Sequence, residues 1–344
     1  MSHRFIASMG ALAVVLAVAL LAPVPVAGQA RPSAANTTAA AKTWTEPRTA
    51  DGQPDLQGIW SNATLTPLER PRELAGKQFF TEEEAAEYEK QVLQHNNADR
   101  RDNPNTDADV ALAYNDSWYD RGTKVVPTRR TSLIVDPPNG KIPTLTPEGQ
   151  KRADAVFCQT GQHSHCRERG FESWEDRNLW ERCITRGLPI VPGPYNNNYQ
   201  ILQTPEYVAI LSEMIHDARI IPLDGRSHVD KDIRQWTGDS RGRWEGNTLV
   251  VDTTNFTDLN PFPGAQNLHV IERITRTDEE TILYQFTVED PGMWTKPWSG
   301  EVPIKRMSGQ LYEYACHEAN YGLANTLRGA RVAEAEAAAK ETAK

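Results

Sequence analysis

The fold is decided by two alternating stretches, LHVIERIT at residues 268–275 and TILYQFTVE at residues 281–289. Apolar and polar residues alternate in both, as in β-strands with one buried face. Between residues 199 and 317, similar short runs are separated by turns such as Asp224-Gly225 and Gly246-Asn247, which is the spacing of an antiparallel meander. The other predicted strands are 199–203, 207–214, 218–223, 244–246 leading into 248–255, 301–305 and 311–317. We therefore expect a continuous antiparallel sheet that curls into a calycin-like, or lipocalin-like, barrel.

The alternation also assigns titratable residues to the two faces of these strands. In the first stretch Glu272 shares a face with Val270 and Ile274, whereas His269 lies on the opposite face. In the second stretch Glu289 lies opposite the predicted core residues, which are Ile282, Tyr284, Phe286 and Val288.

The N-terminal half has fewer strand signals. Residues 44–75 contain four prolines, and only residues 56–60 resemble a strand, so this segment is predicted to be an extended arm held by Trp60. Helices are expected from Thr81 to about Gln94, from Pro147 to about Phe157, and at residues 174–185. The predicted class is α+β but mostly β, with an arm and helices at 44–190, an antiparallel β domain at 191–328 and a C-terminal tail at 329–344.

The first thirty residues have the features of a secretory signal peptide. Arg4 precedes an apolar run from Met9 to Ala22, and small residues follow up to Ala30. This run is shorter than the roughly 20 residues that a membrane-spanning helix needs. We expect a cleaved signal at 1–30, a flexible leader at 31–43, and a periplasmic or secreted protein with no membrane span after cleavage.

The amino-acid composition argues against several classes of protein. A formal net charge of -9, from 37 Lys and Arg against 46 Asp and Glu, argues against nucleic acid as a partner. With 39% hydrophobic and 24% charged residues, the chain matches a globular protein and neither a fibre nor a multi-span membrane protein.

Four cysteines fall in the part predicted to be exported, where disulfides form. We expect Cys183 to pair with Cys316 and Cys158 to pair with Cys166. A zinc site is the alternative for the second pair, because residues 158–166 read C-x4-H-x-H-C.

Sequence motifs for nucleotide, dinucleotide, zincin and serine-hydrolase sites are missing. Titratable residues instead lie at the ends of the predicted strands. The catalytic candidates are His216, Asp217, His269 and Glu272, and the ligand-binding candidates are Arg219, His228, Arg234 and Trp236. The candidate ligands for zinc, iron or copper are His216, His228, His269, His317 and Glu318. The alternative is that each histidine is hydrogen-bonded locally, because no two of them share the spacing that places ligands on one face. The tryptophans, including Trp294 and Trp298, are either stacking surfaces or core residues.

Four segments together resemble a group of exported proteins of unassigned function that are frequent in soil acidobacteria. The segments are DGQPDLQGIW (51–60), PGPYNNNYQ (192–200), MIHDAR (214–219) and RWEGNTLVV (243–251). The resemblance covers about residues 51–328 and implies a periplasmic or extracellular bacterial protein, without an activity or catalytic residues to carry over.

The sequence thus predicts an envelope protein that binds a small molecule at the mouth of a β-barrel, between the ligand-binding candidates and His216. The alternative is a secreted hydrolase or isomerase with a histidine and carboxylate site. No cofactor is predicted beyond a divalent metal in that alternative.

Overall fold

The computed structural model describes residues 44–100, 104, 106, 115–159, 171–259, 262 and 265–343. The predicted signal peptide and leader, and the predicted pair of Cys158 and Cys166, lie outside the residues whose side chains are described. The strands are β1 (Gly58–Ser61), β2 (Ile134–Asp136), β3 (Asn198–Gln203), β4 (Tyr207–Ser212), β5 (Ala218–Pro222), β6 (Asp239–Glu245), β7 (Thr248–Thr254), β8 (His269–Arg276), β9 (Thr281–Glu289) and β10 (Trp298–Arg306).

These ten strands form one antiparallel sheet that is nearly closed into a barrel. Its order is β5-β4-β3-β1-β10-β9-β8-β7-β6, and β2 also pairs with β10. The outermost strands β5 and β6 pack against each other at Gly242, where a Cβ atom would lie 2.8 Å from Ile221 Cγ2 and 2.6 Å from Leu223 Cδ2. A glycine is therefore needed where the two edges meet. The predicted mostly β, barrel-like fold is confirmed.

The predicted alternation of the two deciding strands is also confirmed. Val270, Glu272 and Ile274 of β8 are buried, and so are the four predicted core residues of β9. Trp294 and Trp298 are buried as well and pack edge to face with ring centroids 6.1 Å apart, so both belong to the core.

The helices are α1 (Glu82–Asn96), α2 (Pro147–Gln159) and α3 (Tyr321–Thr342). Thr81 caps α1 as predicted, because its hydroxyl accepts a hydrogen bond from the Glu84 backbone N–H at 3.2 Å and its own N–H donates to Glu84 Oε2 at 2.8 Å. The predicted tail boundary at residue 329 falls inside α3. Among the described residues, no helix is both long enough and apolar enough to cross a bilayer.

The predicted arm supplies a strand to the middle of the sheet, because β1 pairs with β3 on one side and with β10 on the other. Trp60 of β1 is fully buried and its indole N–H donates to Leu56 O at 2.9 Å. Burial of this large side chain fixes the strand, in agreement with the predicted role of Trp60.

Two predicted elements are wrong. Residues 174–185 contain only a short 3-10 turn, Trp174–Asp176, because the backbone is extended at Arg177 (φ -91°, ψ 147°) and left-handed at Cys183 (φ 56°). Residues 311–317 form an irregular segment and not a strand. The nearly closed barrel offers this segment little free strand edge, and its Cys316 is held by the disulfide.

Candidate functional site

The first candidate site is a network of histidines and carboxylates on the outer face of the sheet. His228 Nδ1 lies 2.9 Å from Asp239 Oδ2, and its Nε2 lies 2.9 Å from Asp252 Oδ1. His269 Nε2 lies 3.0 Å from Asp252 Oδ2, and its Nδ1 lies 3.2 Å from Glu289 Oε2. We call these five residues the histidine–carboxylate network. Asp252 connects its two imidazoles.

The sheet register explains why three of these side chains meet. Asp252 on β7, His269 on β8 and Glu289 on β9 belong to neighbouring strands and share the outer face, and His269 is the direct partner of Glu289. Asp239 comes from β6, where Arg241 Nη1 donates to its Oδ1 at 2.7 Å.

His228 reaches the network from the loop at residues 223–238, which folds over the outer face. The Asn255 amide holds this loop by donating to the carbonyls of Val229 at 3.2 Å and Asp230 at 2.9 Å. Arg234 in the same loop donates through Nη1 to Phe256 O at 2.8 Å. Arg234 is therefore engaged with the backbone.

The charges of the network favour the protonated form of the His269 imidazole. Hydrogen bonding to Asp252, helped by its negative charge and by Glu289, raises the pKa of His269. The hydrogen bond from His269 in turn lowers the pKa of Asp252. An imidazole can donate from both nitrogens only when it is protonated. Because each of the four ring nitrogens faces a carboxylate oxygen, the arrangement favours holding the loop over proton transfer or metal binding.

Two of the predicted site residues form an ion pair inside the barrel. Arg219 Nη2 donates to Glu272 Oε1 at 2.9 Å, and a second hydrogen bond joins Nη1 to Oε2. The Tyr284 hydroxyl also donates to Glu272 Oε1 at 2.9 Å and accepts from the Ile190 N–H at 2.9 Å. Burial, together with the negative charge of Glu272, raises the pKa of Tyr284 well above its ordinary value.

This ion pair leaves little room for a ligand beside it. Glu272 is fully buried, and a cavity next to Arg219 measures about 40 Å³. Pockets for drug-sized ligands measure roughly 300–1,000 Å³, so this cavity is too small for such a ligand.

The remaining candidates lie near the disulfide. Cys183 and Cys316 are bonded although they lie 133 positions apart in sequence, which confirms this predicted pair. His216 Nδ1 lies 3.1 Å from Tyr314 O, and the rings of His216 and His317 are 6.4 Å apart. Asp217 accepts a hydrogen bond from the Thr185 hydroxyl. The sequence-predicted residues are thus distributed over the outer face, the barrel interior and the disulfide region.

The second candidate site is a cleft of about 1390 Å³ beside the disulfide, which we call the aromatic cleft. Its aromatic lining consists of Trp118, Tyr119, Trp180, Tyr195, Tyr312 and Tyr314. Its carboxylates are Asp120, Glu181, Glu213, Glu313 and Glu318. Glu318 is the one predicted site residue among them, and Cys316 also lines the wall.

One carboxylate of the cleft raises the pKa of another. Glu213 is buried and its Oε2 accepts a hydrogen bond from Asn198 Nδ2 at 2.6 Å. Burial raises the pKa of Asp120, a backbone hydrogen bond from Asn197 opposes this effect, and the negative charge of Glu213 adds to it. The cleft therefore combines aromatic surfaces with hydrogen-bond acceptors.

Sequence reasoning missed this cleft because its walls come from distant segments, around residues 118, 180, 195, 213 and 312. The available signal was the excess of tryptophan and tyrosine in irregular segments. Trp236, which was predicted as a ligand contact, lies in the 223–238 loop with the Arg182 guanidinium 5.7 Å from its ring.

Within the described part of the chain, no group of three or more His, Cys, Asp or Glu side chains is arranged to hold a metal ion. The enzyme alternative stays a prediction. No family model, no curated protein and no solved structure matches this chain.

Proposed function

We propose that this protein is an exported small-molecule-binding protein of the bacterial envelope, with its ligand in the aromatic cleft. The observation that carries the proposal is the cleft of about 1390 Å³ with its six aromatic side chains. Binding sites for small molecules are concave, largely apolar or aromatic, and contain a few polar groups that orient the ligand. The aromatic cleft shares the concave shape and the aromatic walls, and its lining is richer in polar groups, with five carboxylates.

The barrel mouth supports ligand binding less well. Arg219, which was predicted at the mouth, instead pairs with Glu272 inside the barrel, and the adjoining cavity measures about 40 Å³. A ligand at this position would have to separate a buried ion pair, which leaves two uncompensated charges at a cost of several kcal/mol. Binding in the aromatic cleft separates no ion pair, so we propose the cleft and not the barrel mouth as the ligand site.

Two observations support export as part of the proposal. The chain begins with the sequence features of a signal peptide, and its Cys183–Cys316 disulfide is of the kind that persists in oxidising compartments. The resemblance of residues 51–328 to exported acidobacterial proteins agrees with this location. Periplasmic protein from an expressing bacterium should lack about the first thirty residues when its N-terminus is sequenced.

Ligand binding is tested by thermal shift with a library of sugars, amines, carboxylic acids and aromatic metabolites. A ligand at a hundred times its Kd stabilises the folded state by about 2.7 kcal/mol, which raises Tm by several degrees. We expect at least one compound to raise Tm in the wild-type protein and much less in Trp118→Ala, because Trp118 lines the cleft.

Trp174→Ala is the matched control. Trp174 is also an exposed tryptophan in a short 3-10 turn, but it is not part of the cleft lining. A library without any Trp118-dependent shift would contradict the proposal.

A further inference from the structure

We infer that the aromatic cleft binds a neutral oligosaccharide, a short chain of uncharged pyranose rings. This inference rests on the proposed function and specifies its ligand class. It depends on the exposed aromatic faces, the charges around them and the size of the cleft.

The exposed rings provide platforms for stacking. Trp118 exposes 68% and Tyr312 exposes 73% of its surface, although both line the cleft. Large aromatic side chains normally bury most of their surface, so exposure at a concave site points to a binding role. A pyranose ring presents a face of C–H groups that packs on such a platform, while its hydroxyl groups point outward to the walls.

The charges argue against an anionic ligand. Five carboxylates line the cleft, whereas Arg306 is the single cationic side chain among its described lining residues. An anion would be repelled by most of these walls. Carboxylates are hydrogen-bond acceptors, and the donors that match them on a neutral ligand are hydroxyl groups.

Two of the aromatic faces that an organic cation would use are already covered by arginines. The guanidinium of Arg121 lies 3.6 Å from the Tyr119 ring, and that of Arg186 lies 4.4 Å from the Trp180 ring. Both guanidiniums already make the cation–π contacts that a cationic ligand would seek from these two rings. A neutral ligand rich in hydroxyl groups avoids both conflicts.

The size of the cleft points to more than one sugar ring. Pockets for drug-sized ligands measure roughly 300–1,000 Å³. At about 1390 Å³ the aromatic cleft exceeds this range. Several rings in a row would use both exposed platforms at once.

The experiment titrates the purified full chain with cellohexaose, maltohexaose and chitohexaose, each by calorimetry and by tryptophan fluorescence. Spermidine and citrate serve as the cationic and anionic probes. We expect at least one hexasaccharide to bind with one site per chain. Trp118→Ala and Tyr312→Ala should each weaken that binding about tenfold, which corresponds to about 1.4 kcal/mol, whereas Trp174→Ala should leave it unchanged.

The inference is overturned if none of the three hexasaccharides binds, if binding is insensitive to Trp118→Ala and Tyr312→Ala, or if spermidine or citrate binds the cleft more tightly than any sugar. The thermal-shift library separates this result from failure of the proposed function. A non-sugar ligand that depends on Trp118 would retain the binding function and reject the sugar, whereas a library without any Trp118-dependent ligand would reject both.

Discussion

The histidine–carboxylate network and the aromatic cleft use their polar groups in opposite ways. In the network, each imidazole nitrogen faces a carboxylate oxygen, and the contacts fix a loop to the sheet. In the aromatic cleft, the side chains of Trp118 and Tyr312 are largely exposed and line a space of about 1390 Å³. Residue types that are typical of catalysis therefore stabilise this fold, whereas the space for a ligand lies among aromatic residues of irregular segments.

Removing the Cys183–Cys316 disulfide should have the largest effect on stability, and it should also weaken ligand binding in the aromatic cleft. Closing a loop between residues 133 positions apart lowers the entropy of the unfolded chain by an amount worth about 5 kcal/mol in the chain model. We expect the double variant Cys183→Ser and Cys316→Ser to unfold at a markedly lower denaturant concentration and to lose ligand affinity, because Cys316 lines the cleft. An unchanged midpoint under non-reducing conditions would contradict this prediction.

Glu272→Leu should weaken the barrel that supports both regions. Arg219 would then be buried without a counter-charge, which costs about 3–5 kcal/mol. Denaturant unfolding measures this loss. Adding Arg219→Met should recover most of it, because an apolar pair avoids the unpaired charge. A double variant that is less stable than the single one would show that the ion pair itself stabilises the barrel.

Asp252→Asn should affect the network and leave the cleft intact. The amide keeps the size of the side chain but removes the charge that both histidines share, at a cost of about 1–2 kcal/mol. Hydrogen-exchange mass spectrometry should show faster exchange in residues 223–238 and the same exchange in residues 312–320, with unchanged ligand affinity.

Glu245→Gln is the control for this variant, because Glu245 pairs with arginines on the same outer face without contacting the loop. Equal effects of the two substitutions on loop exchange would reject the assigned role of Asp252.

The stability contributed by the network should depend on pH. The pKa of His269 is raised, so its contribution is complete below its ordinary value of 6.5 and is lost as the pH rises through the folded-state value. The pKa of Asp252 is lowered, so its contribution is complete above 3.8 and is lost as the pH falls through its folded-state value. The network should therefore stabilise the fold most between about pH 4 and 6.5.

This dependence is measured as the change in urea midpoint between pH 5.5 and 8.5. The decrease should be smaller in His269→Asn than in the wild type, because the variant lacks the titrating group. His216→Asn is the control, since His216 contacts the Tyr314 carbonyl and lies outside the network. Identical pH dependence in His269→Asn and the wild type would refute the prediction.

Much of the β architecture could be predicted because local patterns carry it. Strands β8 and β9 alternate strictly, and this alternation placed Glu272 among buried residues and His269 with Glu289 on the opposite face. The Thr81 cap was also predictable from local chemistry, and the Cys183–Cys316 pair was the favoured one of three possible pairings, which the structure confirms.

The errors arose where long-range contacts override local preference. The strand expected at residues 311–317 has a suitable pattern, but the segment is irregular and its Cys316 is bonded to Cys183, which lies outside the strands. The helix expected at 174–185 ends at Arg177, where the backbone is extended, and Cys183, which is bonded to Cys316, is left-handed. Neither restraint is visible in the spacing of apolar residues.

The sequence by itself determined the antiparallel strands and their buried faces, because side-chain alternation and turn residues are local properties of the chain. Only the tertiary structure decided which histidines share a carboxylate and where a ligand-sized space remains. Asp252 contacts His228 because a loop folds across the outer face. Trp118 and Tyr312 line the same cleft, although almost two hundred residues separate them in sequence. Both arrangements bring together residues that are distant in sequence, so they depend on the three-dimensional path of the whole chain and not on any short segment.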